Sequence, residues 1–202
     1  MRSIQAVDVD KAVAALRELG GPVAVKVVAA GVLHKARAGG VVLNVATEED
    51  LRAAIAGFQD RFGDAVQGML LQPMAEPGRE LIIGVDSDET FGPLVVFGLG
   101  GTDTDLIADR VARLTPLTDL DAERMVHGLR SSAALFGGDE LPTGGLVDVL
   151  TRVSRLAETV PEVAELDLNP VVVRADGCQV LDARVRLAPR EPADPFLRRL
   201  RA

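Results

Sequence analysis

Three oxygen-bearing side chains, Asp167, Asn169 and Asp182, interrupt two apolar, strand-like runs, Glu165-Leu166-Asp167-Leu168-Asn169-Pro170 and Val180-Leu181-Asp182-Ala183-Arg184. Side chains alternate faces along a strand, so Asp167 and Asn169 share one. A turn over Arg174-Ala175-Asp176-Gly177 folds the runs into a hairpin and brings Asp182 beside them. A carboxylate and an amide carbonyl on one face suit Mg²⁺, which takes one or two protein ligands and fills its shell with water and phosphate oxygens. The same spacing fits an edge strand with Asp167 in water and Asn169 opening a proline turn. Short matches of this kind arise by accident, and spacing alone leaves both readings open.

A second set of candidates lies nearer residue 1. Lys26 interrupts the buried-type run Val23-Ala24-Val25-Lys26-Val27-Val28. A buried ammonium is costly without a partner, so Lys26 either meets an anion or packs its stem and sends its head to water. The loop Ala30 to Gly40 is basic and ends in Gly39-Gly40, whose backbone amides are candidates for close approach to a phosphate. It is not a Walker A loop, which needs Gly-Lys-Ser/Thr opening a helix. His34 in this loop can carry a phosphoryl group or a proton, or can be an ordinary solvated histidine. Glu80 opens the apolar run Arg79 to Val85 and needs a partner there, unless it is a charge guarding an edge strand. Gly98-Leu99-Gly100-Gly101 is a second glycine cluster and lacks the helix and spacing of a dinucleotide fingerprint.

These residues need a scaffold, and the pattern supplies one. Asp8 caps a helix over Lys11 to Leu19, ended by Gly20-Gly21-Pro22. Val41 to Val45 is a strand, and Thr47-Glu48-Glu49-Asp50 is a capping box opening a helix to Phe62. Val66 to Leu71 is a strand, and Gln72 to Gly78 a hinge. Strands Arg79 to Val85 and Pro93 to Phe97 join through a turn at Asp86 to Glu89. Asp119 or Asp121 opens a helix carrying His127, read as a surface residue. Leu146 to Val160 is amphipathic, with Leu146, Val149, Leu150, Val153 and Leu156 on its apolar side. The expectation is an α/β (α+β) fold of two lobes, residues 1–73 and 74–188, and a Pro- and Arg-rich tail, 189–202.

Composition narrows the partners. The chain has 202 residues and 48% hydrophobic residues, enough for a sizeable core. Aromatics are 3%, with no Trp or Tyr, so base-stacking platforms are missing. A net charge of −8 argues against nucleic acid and membrane surfaces. A nucleotide polyphosphate needs only a few local cations and stays possible. The single cysteine, Cys178, excludes an internal disulfide and is expected to be a small strand residue. Met1 to Gln5 lacks the apolar stretch of a secretion signal, so a cytoplasmic setting is expected.

In family order, several of these segments resemble the ATP-grasp domain of ADP-forming acyl-CoA synthetases. They are Val23 to Val28 with Leu33-His34-Lys35 and Gly39-Gly40-Val41, Glu80 to Val85, Phe91-Gly92-Pro93 with Phe97 to Gly101, Glu165 to Pro170, and Leu181 to Arg184. The succinyl-CoA ligase β subunit is a more distant relative. The resemblance covers residues 3–188 and implies an ATP-grasp fold whose two lobes clamp ATP and Mg²⁺. It implies that Lys26 contacts ATP phosphates, that Gln72, Pro73, Met74 and Ala75 meet adenine largely through backbone, and that Glu80, Gly100 and Gly101 line the nucleotide site. Asn169 and Asp182 would hold Mg²⁺, and His34 would relay a phosphoryl group. The implied chemistry is acid + CoA + ATP to acyl-CoA + ADP + phosphate, through an acyl phosphate and phosphohistidine. The implied partners are CoA-binding and ligase domains, in the same protein or on a partner subunit.

The chain departs from the family pattern in three ways. The CoA-binding and ligase domains, and the helix that usually precedes residue 1, are not in these residues. Gly101-Thr102-Asp103-Thr104-Asp105 replaces a run that usually carries a glutamate in an apolar context. Pro73 stands where an acidic residue is common. These features resemble the subgroup fused to a GNAT-type lysine acetyltransferase, which gives an alternative: a ligand-sensing regulatory domain without turnover.

Overall fold

The computed structural model describes residues 2–31, 35–88, 91–100, 109–136 and 143–189. His34, Gly101 and the run Thr102 to Asp105 lie outside them, as does the tail beyond Pro189. The chain divides into two compact units, Met1–Glu76 and Pro77–Ala202.

The first unit runs β1 (Ile4–Ala6), α1 (Val9–Leu19), β2 (Val23–Ala29), β3 (Val41–Val45), α2 (Glu48–Phe62), a 3₁₀ turn (Gly63–Ala65) and β4 (Val66–Pro73). Asp8 caps α1 by accepting from the Lys11 amide, and the helix stops at left-handed Gly20 with φ 69°. Thr47 caps α2 in the same way, through Asp50. The strands form a four-stranded antiparallel sheet ordered β1-β4-β2-β3. Alternation in β2 sends Val23, Val25 and Val27 into a core with Ala12, Leu16, Leu51, Phe58, Met69 and Leu71. Both helices thus cover one sheet face, and Ala24 and Lys26 point to the other. β4 runs two residues past the expected strand end, because Val23 pairs with Pro73 and Ala24 with Gln72. The Met74 amide then donates to the Pro22 carbonyl at 3.0 Å.

The second unit runs β5 (Arg79–Asp88), β6 (Gly92–Leu99), β7 (Arg110–Leu114), α3 (Asp119–His127), α4 (Ser132–Phe136), α5 (Gly144–Thr159), β8 (Val163–Arg174), β9 (Gly177–Val180) and β10 (Ala183–Leu187). Its six-stranded sheet is ordered β10-β8-β5-β6-β7, with β9 also paired to β8. Leu81, Ile83, Val85, Val95, Phe97, Leu166, Leu168 and Val171 pack against α3 and α5 through Ala122, Met125, Leu146, Leu150 and Val153. On α5 the buried stripe drifts to Ser154 and Ala157, while Leu156 is 37% exposed. Thr118, not Asp119 or Asp121, caps α3; Asp121 completes the capping box from inside the helix. The expected turn at Asp86 to Glu89 is instead strand as far as Asp88, since Asp86, Ser87 and Asp88 pair with Leu94, Pro93 and Gly92.

Candidate functional site

The sheet faces turned away from the helices gather most of the candidates. In the second unit, Leu81, Ile83 and Val85 are buried in the core, so Glu80, Ile82 and Gly84 point the other way. Gly84 pairs with Asp167, and Asp167 with Arg184. Directly paired residues share a face. Asp167, Asn169, Glu80 and Arg184 therefore line this open face, while Leu166 and Leu168 line the core.

The hairpin closes as its sequence predicts. Arg174 pairs with Gly177 (φ 135°), leaving a two-residue turn at Ala175-Asp176. Arg174 bridges Asp176 at 2.9 Å across that turn. β9 and β10 pair in succession along the same edge of β8, and Leu181-Asp182 is the break between them. The break lies against an irregularity in β8, where the β5 register slips between Leu81 and Ile83. At this corner the Asn169 amide donates to the Asp182 carbonyl at 3.2 Å, and the Leu181 amide to the Pro170 carbonyl at 3.0 Å. Pro170 has no amide to offer the ladder. Backbone bonds thus hold Asn169 and Asp182 side by side. Among the described residues no three His, Cys, Asp or Glu side chains cluster as a metal cage. The corner offers the sparse oxygen set that Mg²⁺ accepts.

Ion pairs that the sequence reading missed brace the corner. Glu165 on β8 accepts from both Arg184 and Arg186 of β10, the latter at 3.1 Å. The Arg186 hydrogen bond and the Arg184 charge hold the Glu165 carboxyl below the usual carboxylate range.

Glu80 is exposed, so its carboxylate needs no buried partner; nor does it guard an edge, since β5 lies between β8 and β6. Gly100 donates its amide to the Glu80 carbonyl at 3.0 Å. A Cβ at Gly100 would stand 2.7 Å from the Leu81 carbonyl. Close backbone approach by itself requires glycine there.

In the first unit, Lys26 is buried, at 7% exposure, and pairs with Val41 and Leu70. It shares its face with Ala24, Leu70 and Gln72. Gln72, Pro73, Met74 and Ala75 are half-buried, and the Met74 sulfur accepts from the Asn44 amide at 3.5 Å. The Gln72 Oε1 is buried and has no hydrogen-bond partner among the described residues. The glycine pair does not offer its amides to a phosphate. Gly39 donates to Ala36 at 3.1 Å and Gly40 to Lys35 at 2.7 Å, closing a turn over which Arg61 reaches to the Ala38 carbonyl.

Asp109 is a second residue that the sequence motifs do not single out. It is 5% exposed and accepts from the Arg130 amide (3.0 Å), the Ser131 amide (2.8 Å) and the Ser131 hydroxyl (2.6 Å). The Ser131 hydroxyl above all keeps it ionised below the ordinary aspartate value. Cys178 packs in β9 beside Gly145, and burial pushes its thiol up. His127 is exposed on α3. A cavity of about 350 Å³ opens between Pro116-Leu117 and α5, lined by Thr151 and Arg155, and touches none of the candidates. No described helix is long and apolar enough to cross a membrane.

Comparison with known proteins identifies the family of the fold. Residues 1–187 match the family model of an ATP-grasp domain, and the chain belongs to that family. It is 36% identical over 189 residues to the beta subunit of acetate–CoA ligase [ADP-forming] II of Pyrococcus furiosus, covering 88% of this chain and 80% of that one. It is 37% identical to acetate–CoA ligase [ADP-forming] II of Archaeoglobus fulgidus, but spans only 27% of that protein's length. An acetyl-coenzyme A synthetase 1 of Ca. Korarchaeum cryptofilum, solved with coenzyme A and Ca-AMPCP, superposes with a TM-score of 0.86 at 37% identity, over 93% of this chain and 85% of that one. The same enzyme has been solved with Mg-AMPPCP and its phosphohistidine segment pointing towards the nucleotide site.

Proposed function

We propose that this chain is the nucleotide-binding, phosphoryl-transferring part of an ADP-forming acyl-CoA synthetase. The observation that carries the reading is the backbone-locked corner of Asn169 and Asp182, in a fold shared with synthetases and their beta subunits. Asn169 and Asp182 hold Mg²⁺, which neutralises charge on the transferring phosphoryl oxygens. Lys26 contacts the phosphates as a buried cation. Gln72 to Ala75 meet the adenine, and Glu80, Gly100 and Gly101 complete the nucleotide site. His34 accepts the γ-phosphoryl group of ATP: the P–O bond to ADP breaks as a P–N bond to the imidazole forms. The group then passes to an acyl-CoA site on CoA-binding and ligase domains, supplied by the same protein or by a partner subunit. Taken as a whole, acid, CoA and ATP give acyl-CoA, ADP and phosphate, in a cytoplasmic setting.

The regulatory alternative, a sensing module joined to an acetyltransferase, gains nothing from the relatives named above, which are all ligases or synthetases. The experiment supplies the full chain with an alpha subunit of a related synthetase and γ-labelled ATP. Label on His34, lost in His34→Ala, is the expected result. Absence of transfer with a partner that is competent towards its own beta subunit would overturn the catalytic reading.

A further inference from the structure

The cavity beside α5 carries an inference that does not depend on the nucleotide reading. It lies among the helices that cover the second sheet, on the side away from Asn169 and Glu80. Its volume, about 350 Å³, falls at the small end of the range for ligand sites. One wall is Pro116-Leu117, leading into Asp119 in the first turn of α3. The other wall is Ser154, Arg155 and Glu158 of α5.

Ser154 is the unusual element. It is 2% exposed, and its Oγ accepts from the Leu117 amide at 2.9 Å. Thr151 and Thr159 on the same helix donate their hydroxyls to carbonyls one turn back, at 2.9 and 2.8 Å. Ser154 donates to nothing among the described residues. Buried hydroxyl protons are almost always placed on an acceptor, and an exception calls for an explanation. Because Ser154 lines the cavity, an acceptor can reach it from there.

Charges of both signs surround this serine. Arg152 is taken by Asp148 at 2.8 Å. Arg155, Glu158 and Asp119 are exposed and make no ion pair among the described residues. Arg155 and Glu158 stay apart although they are three positions apart on one helix, where opposite charges commonly pair. The N-terminus of α3 adds partial positive charge beside the same opening.

We propose that this cavity is a binding site for a small apolar α-amino acid. The carboxylate accepts from the Ser154 hydroxyl and from Arg155, near the start of α3. The ammonium donates to Asp119 and Glu158, and the side chain rests on Pro116 and Leu117. A simple carboxylate would face both acids, and a simple amine would leave Ser154 and Arg155 unmet. The zwitterion answers both sets of groups, and loss of either end leaves polar groups of the site unpaired.

The test is thermal unfolding of the full chain with L-alanine, L-valine or L-leucine, since a ligand of the folded state raises the midpoint. Calorimetric titration then compares the most stabilising amino acid with its deamino and decarboxy analogues, isovalerate and isobutylamine in the case of valine. At least one amino acid should raise the midpoint, and both of its analogues should bind about 10-fold more weakly. Arg155→Gln and Glu158→Gln, at exposed positions, should each weaken amino-acid binding by a similar factor and leave the ligand-free midpoint unchanged. Ser154→Ala should do the same to binding; if it fails to fold by circular dichroism, the two exposed variants decide. No midpoint shift with any of the three amino acids would overturn the site. So would an analogue that binds as well as its amino acid, or affinity unchanged in Arg155→Gln and Glu158→Gln. None of these readouts involves nucleotide, so this site and the nucleotide reading stand or fall separately.

Discussion

The amide of Asn169 and the carbonyl of Asp182 lie 3.2 Å apart and are hydrogen-bonded. The two side chains are therefore neighbours because of backbone geometry. Structure and metal chemistry become separable by mutation. In Asn169→Ala combined with Asp182→Ala, the Mg²⁺ dependence of ATP binding should disappear while the far-ultraviolet circular dichroism stays that of the wild type. Survival of the Mg²⁺ dependence in the double variant would put the metal elsewhere.

Lys26 allows a similar separation. It is 7% exposed, and a buried ammonium is favourable only where an anion or acceptor meets it. Lys26→Ala should weaken ATP binding by about 1.5–3 kcal/mol, the worth of a charge-assisted hydrogen bond. Titration calorimetry with ATP reads this directly, and unchanged affinity would contradict a phosphate contact.

Asp109 sets an acid limit on stability. Its folded pKa is lowered, chiefly by the Ser131 hydroxyl, so its contribution is fully present above the unfolded value of about 3.9. As pH falls below that value towards the folded pKa, the contribution is lost. Asp109→Asn should cost about 1–3 kcal/mol near neutral pH, because an amide cannot accept from every donor that the carboxylate serves. Urea midpoints of the two proteins should converge as the pH is lowered from 6 to 3. A constant gap would mean that the charge is not what matters.

At Gly100 even a methyl group has no room, since its Cβ would stand 2.7 Å from the Leu81 carbonyl. Gly100→Ala should lower stability by about 1–3 kcal/mol, the range for forced overpacking. Thermal melting without nucleotide reads this. An unchanged midpoint would show that the end of β6 yields easily.

Local and periodic signals were legible in the sequence. The caps at Asp8 and Thr47, the hairpin at Ala175-Asp176 and the alternation that puts Lys26 and Val25 on opposite faces all follow from neighbours within a few residues. Glu80 was seen as out of place in an apolar strand, but its exposure depends on β5 lying between β8 and β6, and no local pattern carries that order. The Gly39-Gly40 amides were read as free for a ligand because turn hydrogen bonds to Lys35 and Ala36 leave no mark on composition. β1 and β7 escaped notice because each is short, and β7 alternates around two arginines. The service of Asp109 to Ser131 spans 22 positions, beyond the reach of any motif. Gln72 was assigned to a hinge, and only its pairing with Ala24 reveals a strand residue with a directed side chain.

The twelve-residue β8 is shared by three partners, with β5 on one edge and β9 then β10 on the other. As a ribosome makes the chain, β5, β6 and β7 emerge long before it. They can pair among themselves, but β5 must wait with one edge bare until residues 163–174 arrive. The nascent chain is thus most vulnerable to sticking to its neighbours shortly before the sheet is finished. The segment that ends this exposure also delivers Asn169, and Asp182 follows it within the same stretch of synthesis. Protection from aggregation and the gain of the proposed metal corner are for this reason one late event, so a chain stalled before residue 163 should be both prone to clumping and unable to bind Mg²⁺-nucleotide.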